Sequence, residues 1–349
     1  MKGVILVENS FVHPYMPNSV PENKKAMLDE LGINSVEDIY KSIIPDELLY
    51  KERLDIPEPI RSEYELKRHV MGILNRDITT EEYTSFLGAG CYKHQVPAIC
   101  DEINSRGEFL TAYCGDTYSD HGKMQAIFEY TSMMGELLDT DVVSYTTYDG
   151  GQAVASSLRM AVRAVREKGM AGKVILVPKT MNPEIYSQVV QYCRNVAEVR
   201  KIAYEPETGL MDLEELKEQL AKKNVAAVFF ENPTYLGNFE TRGEEIAKLA
   251  HDAGAYCVVQ TEVAALGIME SPVNQGADIV CGDIQPLGMH IQFGGGQAGF
   301  IACNQNMDLV EQFPTYMYGI TETEKEDTYG WGRAMNYRSS HGSRENAKE

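Results

Sequence analysis

Residues 225–260 read VAAVFFENPTYLGNFETRGEEIAKLAHDAGAYCVVQ, and this stretch decides the class of fold. Its first part is the apolar run VAAVFF, and its last part is a second apolar run, AYCVVQ. Between them, residues 243–253 have apolar side chains at helical spacing. Short apolar runs without alternation are typical of strands buried on both faces, as in parallel sheets between helical layers. The stretch therefore predicts a strand-helix-strand unit of an α/β protein.

The same alternation of strands and helices extends on both sides of this unit. Further apolar runs occur at 141–145 (DVVSY), 173–178 (KVILVP), 277–281 (ADIVC) and 299–303 (GFIAC). Helical periodicity is found at 124–138, 152–168, 183–196 and 213–223. Such a series predicts a large α/β domain over residues 86–312, with a mostly parallel sheet covered by helices on both faces.

The two ends of the chain differ from this domain. In residues 1–85, prolines at 14, 17, 21, 45, 57 and 59 separate short helical runs at 22–31 and 62–75. We predict an N-terminal helical arm, which covers either its own large domain or a partner subunit. Residues 313–349 are polar and rich in Tyr and Gly, and we expect them to begin a small C-terminal domain that the chain leaves truncated.

Composition excludes several classes of function. The net charge of -20 and the lack of a long Lys/Arg run argue against nucleic acid or an anionic membrane as the main partner. No apolar stretch approaches the ~20 residues of a membrane helix, and the first residues lack a secretory cleavage site, so we expect a cytoplasmic protein. The seven cysteines form no CxxC pair and the seven histidines no HExxH motif, so neither disulfides nor a metal site is expected.

The motif YTTYDGGQ at residues 145–152 lies between a predicted strand and a predicted helix. Asp149, Gly150 and Gly151 place flexible backbone and free N–H groups at a helix N-terminus, which is how proteins bind phosphate or carboxylate without a cationic side chain. The alternative is an ordinary helix start with Asp149 as the N-cap. The sequence leaves both interpretations open.

Residues 86–130 are the densest patch of glycine, aromatic, histidine and charged residues in the chain. Gly88 and Gly90 permit backbone turns there. The side chains that we expect to line a polar cavity or an interface are Tyr92, Lys93, His94, Arg106, Glu108, Tyr113 and His121. By contrast, no lysine lies between Lys248 and Lys325, so the predicted strand and loop at 277–296 offer no amine.

Several strings resemble, in order, the first subunit of the two-subunit glycine decarboxylases, the P-proteins of the glycine cleavage system. They include FLGAGCYKHQVPAI, SRGEFLTAY, HGKMQAIFEY, YDGGQA, NPTYLGNFE, GADIVCGDIQPLG and FGGGQAGF. The resemblance implies the fold type I architecture of enzymes that use pyridoxal 5′-phosphate (PLP). In that family the second subunit carries the PLP lysine, which accounts for the missing amine around Gln285–Leu287.

The resemblance also implies a function. This chain would be the subunit without the lysine in a heteromeric, PLP-dependent glycine dehydrogenase (aminomethyl-transferring, decarboxylating), inactive alone. Its partners would be a second P-protein-like subunit holding PLP and a lipoyl carrier, the H-protein, which receives the aminomethyl group from glycine. On this basis the residues expected to line the shared site are Gly88, Gly90, Tyr92, His94, Arg106, Glu108 and Tyr113.

Three alternatives stay open. The chain departs from the family pattern at Cys91, in residues 111–122 and at Gln260–Val263, so a diverged relative could act on another small amino acid. A scaffold that binds its partner without a role in the chemistry is a second alternative. A self-sufficient PLP enzyme using Lys93 or Lys179 is the third.

Overall fold

The computed structural model describes residues 12–50, 52, 54–86, 93–109, 121–170, 172–292 and 298–334. The chain forms two compact units that meet in sequence between Ile78 and Thr79. The predicted division into 1–85, 86–312 and 313–349 stays a prediction.

The first unit carries three helices, α1 (Pro21–Leu31), α2 (Glu37–Ile43) and α3 (Glu63–Leu74). Helix α1 begins with a proline in its first turn and ends at Gly32, whose left-handed conformation (φ 67°) favours glycine. Helix α3 is capped by Ser62, whose hydroxyl accepts a hydrogen bond from the Glu65 N–H. None of the residues in these three helices is buried, and most of their large apolar side chains are exposed.

The second unit contains the α/β domain. Its helices are α4 (Ala98–Asn104), α5 (His121–Leu138), α6 (Gly150–Glu167), α7 (Pro183–Cys193), α8 (Leu213–Leu220), α9 (Gly243–Asp252) and α10 (Met307–Val310). Its strands are β1 (Val142–Val143), β2 (Val174–Pro178), β3 (Glu198–Ile202), β4 (Val225–Asn232), β5 (Tyr256–Thr261), β6 (Ile279–Asp283), β7 (Gly299–Cys303), β8 (Met317–Glu322) and β9 (Tyr329–Ala334).

Seven of these strands form one sheet in the order β1-β7-β6-β5-β4-β2-β3. The neighbours from β3 to β6 pair in parallel, whereas β7 runs antiparallel to both β6 and β1. Strands β8 and β9 form a separate antiparallel hairpin. The predicted mostly parallel sheet is therefore confirmed.

The hydrophobic core lies on both faces of this sheet, because alternate side chains of each strand point to opposite sides. On one face, Phe229 of β4 belongs to a buried cluster that includes α6 and α7. On the other face, Phe230 belongs to a second buried cluster with α8 and α9. Side chains on both faces of β4 are buried, as the apolar run predicts.

Two parts of the fold were absent from the sequence prediction. Strand β3 (EVRKI) is polar because it is an edge strand, and it is buried only at Ile202. The β8–β9 hairpin lies where the sequence predicts the start of a small domain, and the rings of Trp331 and Phe128 of α5 are 5.0 Å apart.

The described cysteines are all free thiols, and four of them are buried: Cys193, Cys257, Cys281 and Cys303. Burial raises the pKa of Cys281 and of Cys303 to about 12. Across the described ranges, no helix is long and apolar enough to cross a membrane.

Candidate functional site

A cavity of about 390 Å³ opens at the carboxyl ends of β4, β5 and β6. In open α/β sheets, this edge is where ligands bind. The polar side chains that line the cavity are His94, Asn182, Glu231, Thr234, Gln260, Thr261, Glu262 and Asp283. Three of them are carboxylates that end or follow neighbouring strands, and we take this cavity as the candidate functional site.

Glu231 is the most deeply buried of the three carboxylates, with only 5% of the residue exposed. Its carboxylate accepts hydrogen bonds from the N–H of Asn182, at 3.1 Å and 3.3 Å, and from the N–H of Tyr235 at 3.2 Å. These bonds favour the ionised form, but burial disfavours it more strongly and raises the pKa of Glu231 to about 7. Glu231 can therefore hold or release a proton near neutral pH.

Glu262 and Asp283 are half-buried on the neighbouring strands. Burial raises the pKa of both carboxyls, and the charge of Asp283 adds to the effect on Glu262. The Asp283 carboxylate nevertheless accepts hydrogen bonds from the N–H of Gln285 at 2.7 Å and of Gly150 at 3.2 Å. The cavity wall is thus acidic.

Two further atoms of the lining residues have unused hydrogen-bonding capacity. His94 Nε2 and Gln260 Oε1 are buried and have no hydrogen-bond partner among the described residues. A buried polar atom without a partner costs about 1–3 kcal/mol. Polar atoms of this kind are suited to a group that enters the cavity.

Of the predicted site residues, the structure brings His94 to this cavity. Arg106 is exposed just beyond α4 and is not among the lining residues. Glu108 lies in a short 3-10 turn, Gly107–Phe109. Gly88, Gly90, Tyr92 and Tyr113 lie outside the described residues. The set as a whole stays a prediction.

The YTTYDGGQ motif forms the start of α6. The Asp149 carboxylate accepts a hydrogen bond from the Gln152 N–H at 2.6 Å, so Asp149 is the N-cap. Gln152 Oε1 in turn accepts from the Tyr148 N–H at 2.7 Å. The alternative of an ordinary helix start therefore has direct support, and anion binding by Asp149, Gly150 and Gly151 stays a prediction.

The lysines considered for a self-sufficient enzyme are not among the lining residues. Lys93 Nζ forms an ion pair with Glu81 at 2.8 Å, and Lys179 is exposed after β2. After β6, where an amine would be expected, the chain forms a 3-10 turn at Gln285–Leu287. The sequence between Lys248 and Lys325 contains no other lysine.

Sequence reasoning singled out Gln260–Val263, which contains Glu262, as a departure from the family pattern, but it missed Glu231 and Asp283. Glu231 is the last residue but one of β4, Glu262 directly follows β5, and Asp283 ends β6. Parallel strands bring their carboxyl ends to one edge of the sheet, so this position was the available signal.

A second cavity, of about 660 Å³, lies between α4, α5 and residues 284–289. Its wall is mostly apolar and includes Ile99, Met133 and Leu137. Among its described lining residues, only Cys100 and Tyr130 can titrate. Of these two cavities, the first therefore holds more titratable side chains.

The sheet order, its antiparallel β7 and the cavity at the strand ends define the fold type I class of PLP-dependent enzymes. The family model for the glycine cleavage system P-protein matches residues 13–349. The chain belongs to this P-protein family.

Relatives and solved structures agree with this family assignment. A protein of Pyrococcus horikoshii named probable glycine dehydrogenase (decarboxylating) subunit 1 is 38% identical over 310 residues, 88% of this chain and 67% of the relative. Proteins of the same name from Staphylothermus marinus and Carboxydothermus hydrogenoformans are 35% and 36% identical. These alignments cover 89% and 95% of this chain, and 66% and 72% of the relatives. The chain thus spans about two thirds of the length of these relatives.

The solved structure of an inhibitor-bound glycine decarboxylase (P-protein) superposes with a TM-score of 0.77 and 30% identity. The superposition covers 97% of this chain and 72% of that one. A sphingosine-1-phosphate lyase of Burkholderia pseudomallei has a TM-score of 0.54 at 13% identity, over 84% of this chain and 70% of that one. The lyase shares the fold alone.

The cavity residues do not fit PLP. This cofactor needs a lysine for its Schiff base and a place for its phosphate. The described lining residues include carboxylates and one histidine but neither lysine nor arginine. Among the lining residues that the structure describes, none can therefore form the Schiff base or pair a cationic side chain with the phosphate.

Proposed function

We propose that this chain is subunit 1 of a heteromeric glycine dehydrogenase (decarboxylating) of the glycine cleavage system. A second P-protein-like subunit holds PLP on its own lysine, and the lipoyl arm of an H-protein accepts the aminomethyl group. The observation that carries the proposal is a fold type I cavity whose described lining residues are acidic and include no amine. The names of the relatives specify subunit 1, which supports an enzyme built from two different subunits.

The exposed apolar side chains of the first unit favour association with a partner subunit. Exposed side chains of α3 include Leu66, Val70 and Ile73, which share one face of the helix at i, i+4 and i+7 and have 47%, 41% and 51% of each residue accessible. Apolar side chains that are exposed together on one face are typical of interaction sites on soluble proteins. We assign this helix to the interface with the second subunit.

Within the complex, His94 is the lining residue best placed to meet a ligand. Its Nε2 is buried and has no partner among the described residues, and the same cavity holds the Glu231 carboxyl, whose pKa is raised by burial to about 7. A group that enters the cavity can form a hydrogen bond with His94 Nε2, and the Glu231 carboxyl can hold or release a proton beside it. The proposed role of the chain is to orient the substrate and exclude water at the shared site.

Reconstitution tests the proposal. The purified chain, the second subunit from the same organism and a lipoylated H-protein are combined, and exchange of labelled CO2 with the glycine carboxyl is measured. We expect exchange only when both subunits are present. Exchange by this chain alone, or by the second subunit alone at the full rate, would refute the proposal. The same assay with alanine and serine tests the alternative of another small amino acid.

A matched pair of variants separates a catalytic contribution from a scaffold role. His94→Gln in the reconstituted complex should lower kcat by about tenfold or more, as loss of a proton-transferring group does. His290→Gln is the control, because His290 is exposed and pairs with Asp101 outside the cavity. Equal activity of both variants, with intact assembly, would favour the scaffold.

A further inference from the structure

The N-terminus of α6 is closed by a carboxylate of the chain itself. This helix has 18 residues, and its first backbone N–H, that of Gly150, donates to Asp283 Oδ2 at 3.2 Å. The two residues approach so closely that a Cβ at Gly150 would lie 3.0 Å from the Asp283 Cβ. Asp283 thus occupies the position that an anion would take at this helix.

The neighbouring groups reinforce this arrangement. Asp149 caps the Gln152 N–H and accepts a weak hydrogen bond from Gln188 Nε2 at 3.3 Å, so a second carboxylate lies at the same helix end. Both carboxylates repel an incoming anion, and Glu262 lines the same cavity as Asp283. No Lys or Arg is among the described residues that line this cavity.

We propose that Asp283 acts as a built-in anion that keeps PLP and other phosphate-bearing ligands out of this chain's cavity. The missing lysine removes the covalent bond to the cofactor, but it does not by itself prevent phosphate binding at a helix N-terminus. Asp283 prevents it, because its carboxylate already holds the N–H of Gly150. This proposal goes beyond the proposed function, depends only on these contacts, and is the opposite of the predicted anion binding by Asp149, Gly150 and Gly151.

Binding measurements on the full chain test the inference. The probes are inorganic phosphate and pyridoxine 5′-phosphate, which lacks the aldehyde and therefore cannot form a Schiff base with surface lysines. Binding is followed by equilibrium dialysis and by ³¹P line width. The variants are Asp283→Ala, which frees the N–H groups of Gly150 and Gln285, and Asp283→Asn, which removes the charge and keeps the size.

We expect no saturable binding to the unaltered chain. Affinity for both probes should rise at least about tenfold in Asp283→Ala, because a single charge contact shifts such equilibria by one to three powers of ten. The control Asp252→Ala removes the same charge from an exposed ion pair with Lys248 on α9 and should gain nothing. Asp283→Asn serves if the alanine variant does not fold, and it too should bind more tightly than the unaltered chain.

Two outcomes would overturn the inference: saturable binding of pyridoxine 5′-phosphate to the unaltered chain, or no gain in any folded Asp283 variant. Neither outcome touches the proposed function, which depends on exchange activity of the reconstituted complex. Conversely, a complex without exchange activity would leave the role of Asp283 intact.

Discussion

The two units of the chain use apolar side chains in opposite ways. In the second unit, strands such as β4 are buried along their whole length, and the sheet is covered on both faces by helices. In the first unit, helices α1, α2 and α3 contain no buried residue although they carry many large apolar side chains. Burial of apolar surface is the main stabilising contribution to folding. From this comparison we predict that burial within the second unit dominates the stability of the isolated chain and that the first unit contributes little to it.

The strongest test of this comparison uses one substitution at two places. Leu176→Ala, at a fully buried position of β2, should lower the free energy of unfolding by about 2–5 kcal/mol. Leu66→Ala, at an exposed position of α3, should change it by no more than about 0.5 kcal/mol. Urea unfolding of the isolated chain, followed by circular dichroism, measures both. Similar losses at the two positions would break the comparison.

A second test concerns Glu231, whose titratable carboxyl is buried within the second unit. Its pKa in the folded chain, about 7, lies above its ordinary value of 4.5, so the folded state binds more protons between these values. The free energy of unfolding should therefore fall as the pH rises through this window and level off above it. Between about pH 5 and 8, the contribution of this one group should fall by about 2–3 kcal/mol.

The variant Glu231→Gln has no ionisable group and should show a correspondingly smaller fall over the same pH range. Glu214→Gln is a control, because this residue is exposed in the first turn of α8. The free energy of unfolding, measured for both variants and the unaltered chain at a series of pH values, tests this expectation. An unchanged pH slope in Glu231→Gln would mean that another group accounts for it.

The third test sharpens the role of the first unit. Replacing Leu66 and Val70 of α3 together by serine should weaken the affinity for the second subunit by about 10- to 100-fold, as loss of interface anchors does. The isolated chain should unfold as before. Lys67→Ser, on the same helix, serves as the control, and analytical ultracentrifugation with the second subunit gives the affinities. An unaltered affinity in the double variant would place the interface elsewhere.

The smallest effect is expected at a surface ion pair of the first unit. Lys25 and Asp29 of α1 are 2.6 Å apart, one helical turn from each other, and both are mostly exposed. Such pairs contribute about 0.3–0.5 kcal/mol. Lys25→Ala should therefore shift the free energy of unfolding by less than about 0.5 kcal/mol, and added salt should reduce even this. A larger loss would show that the helix packs more closely than its exposure suggests.

Much of the fold could be predicted because its strands are buried on both faces. Runs such as VILVP and VAAVFF have no alternation, and the structure places both in the middle of the sheet. Edge strand β3 escaped prediction because EVRKI exposes charged side chains, and its pairing with β2 is a property of the whole sheet. The β8–β9 hairpin escaped because its strands contain several polar and glycine residues.

The candidate site was harder to predict than the fold. The absence of a lysine was visible in the sequence, and so was His94, which lines the cavity. The acidic residues Glu231, Glu262 and Asp283 come together only because three parallel strands end at one edge. Glu231 and Asp283 are far apart in the sequence, and they line the same cavity because β4, β5 and β6 lie side by side in the sheet.

The buried cysteines give the chain a set of internal reporters. Thiol reagents attack the thiolate, and Cys257, Cys281 and Cys303 are both enclosed and held in the protonated form by a raised pKa. At reagent concentrations where alkylation is faster than reclosing, their rate of alkylation should equal the rate at which the sheet opens, whereas the partly exposed Cys100 should react early. Mass spectrometry of alkylated peptides would then time the opening of the sheet in unlabelled protein, with and without the second subunit.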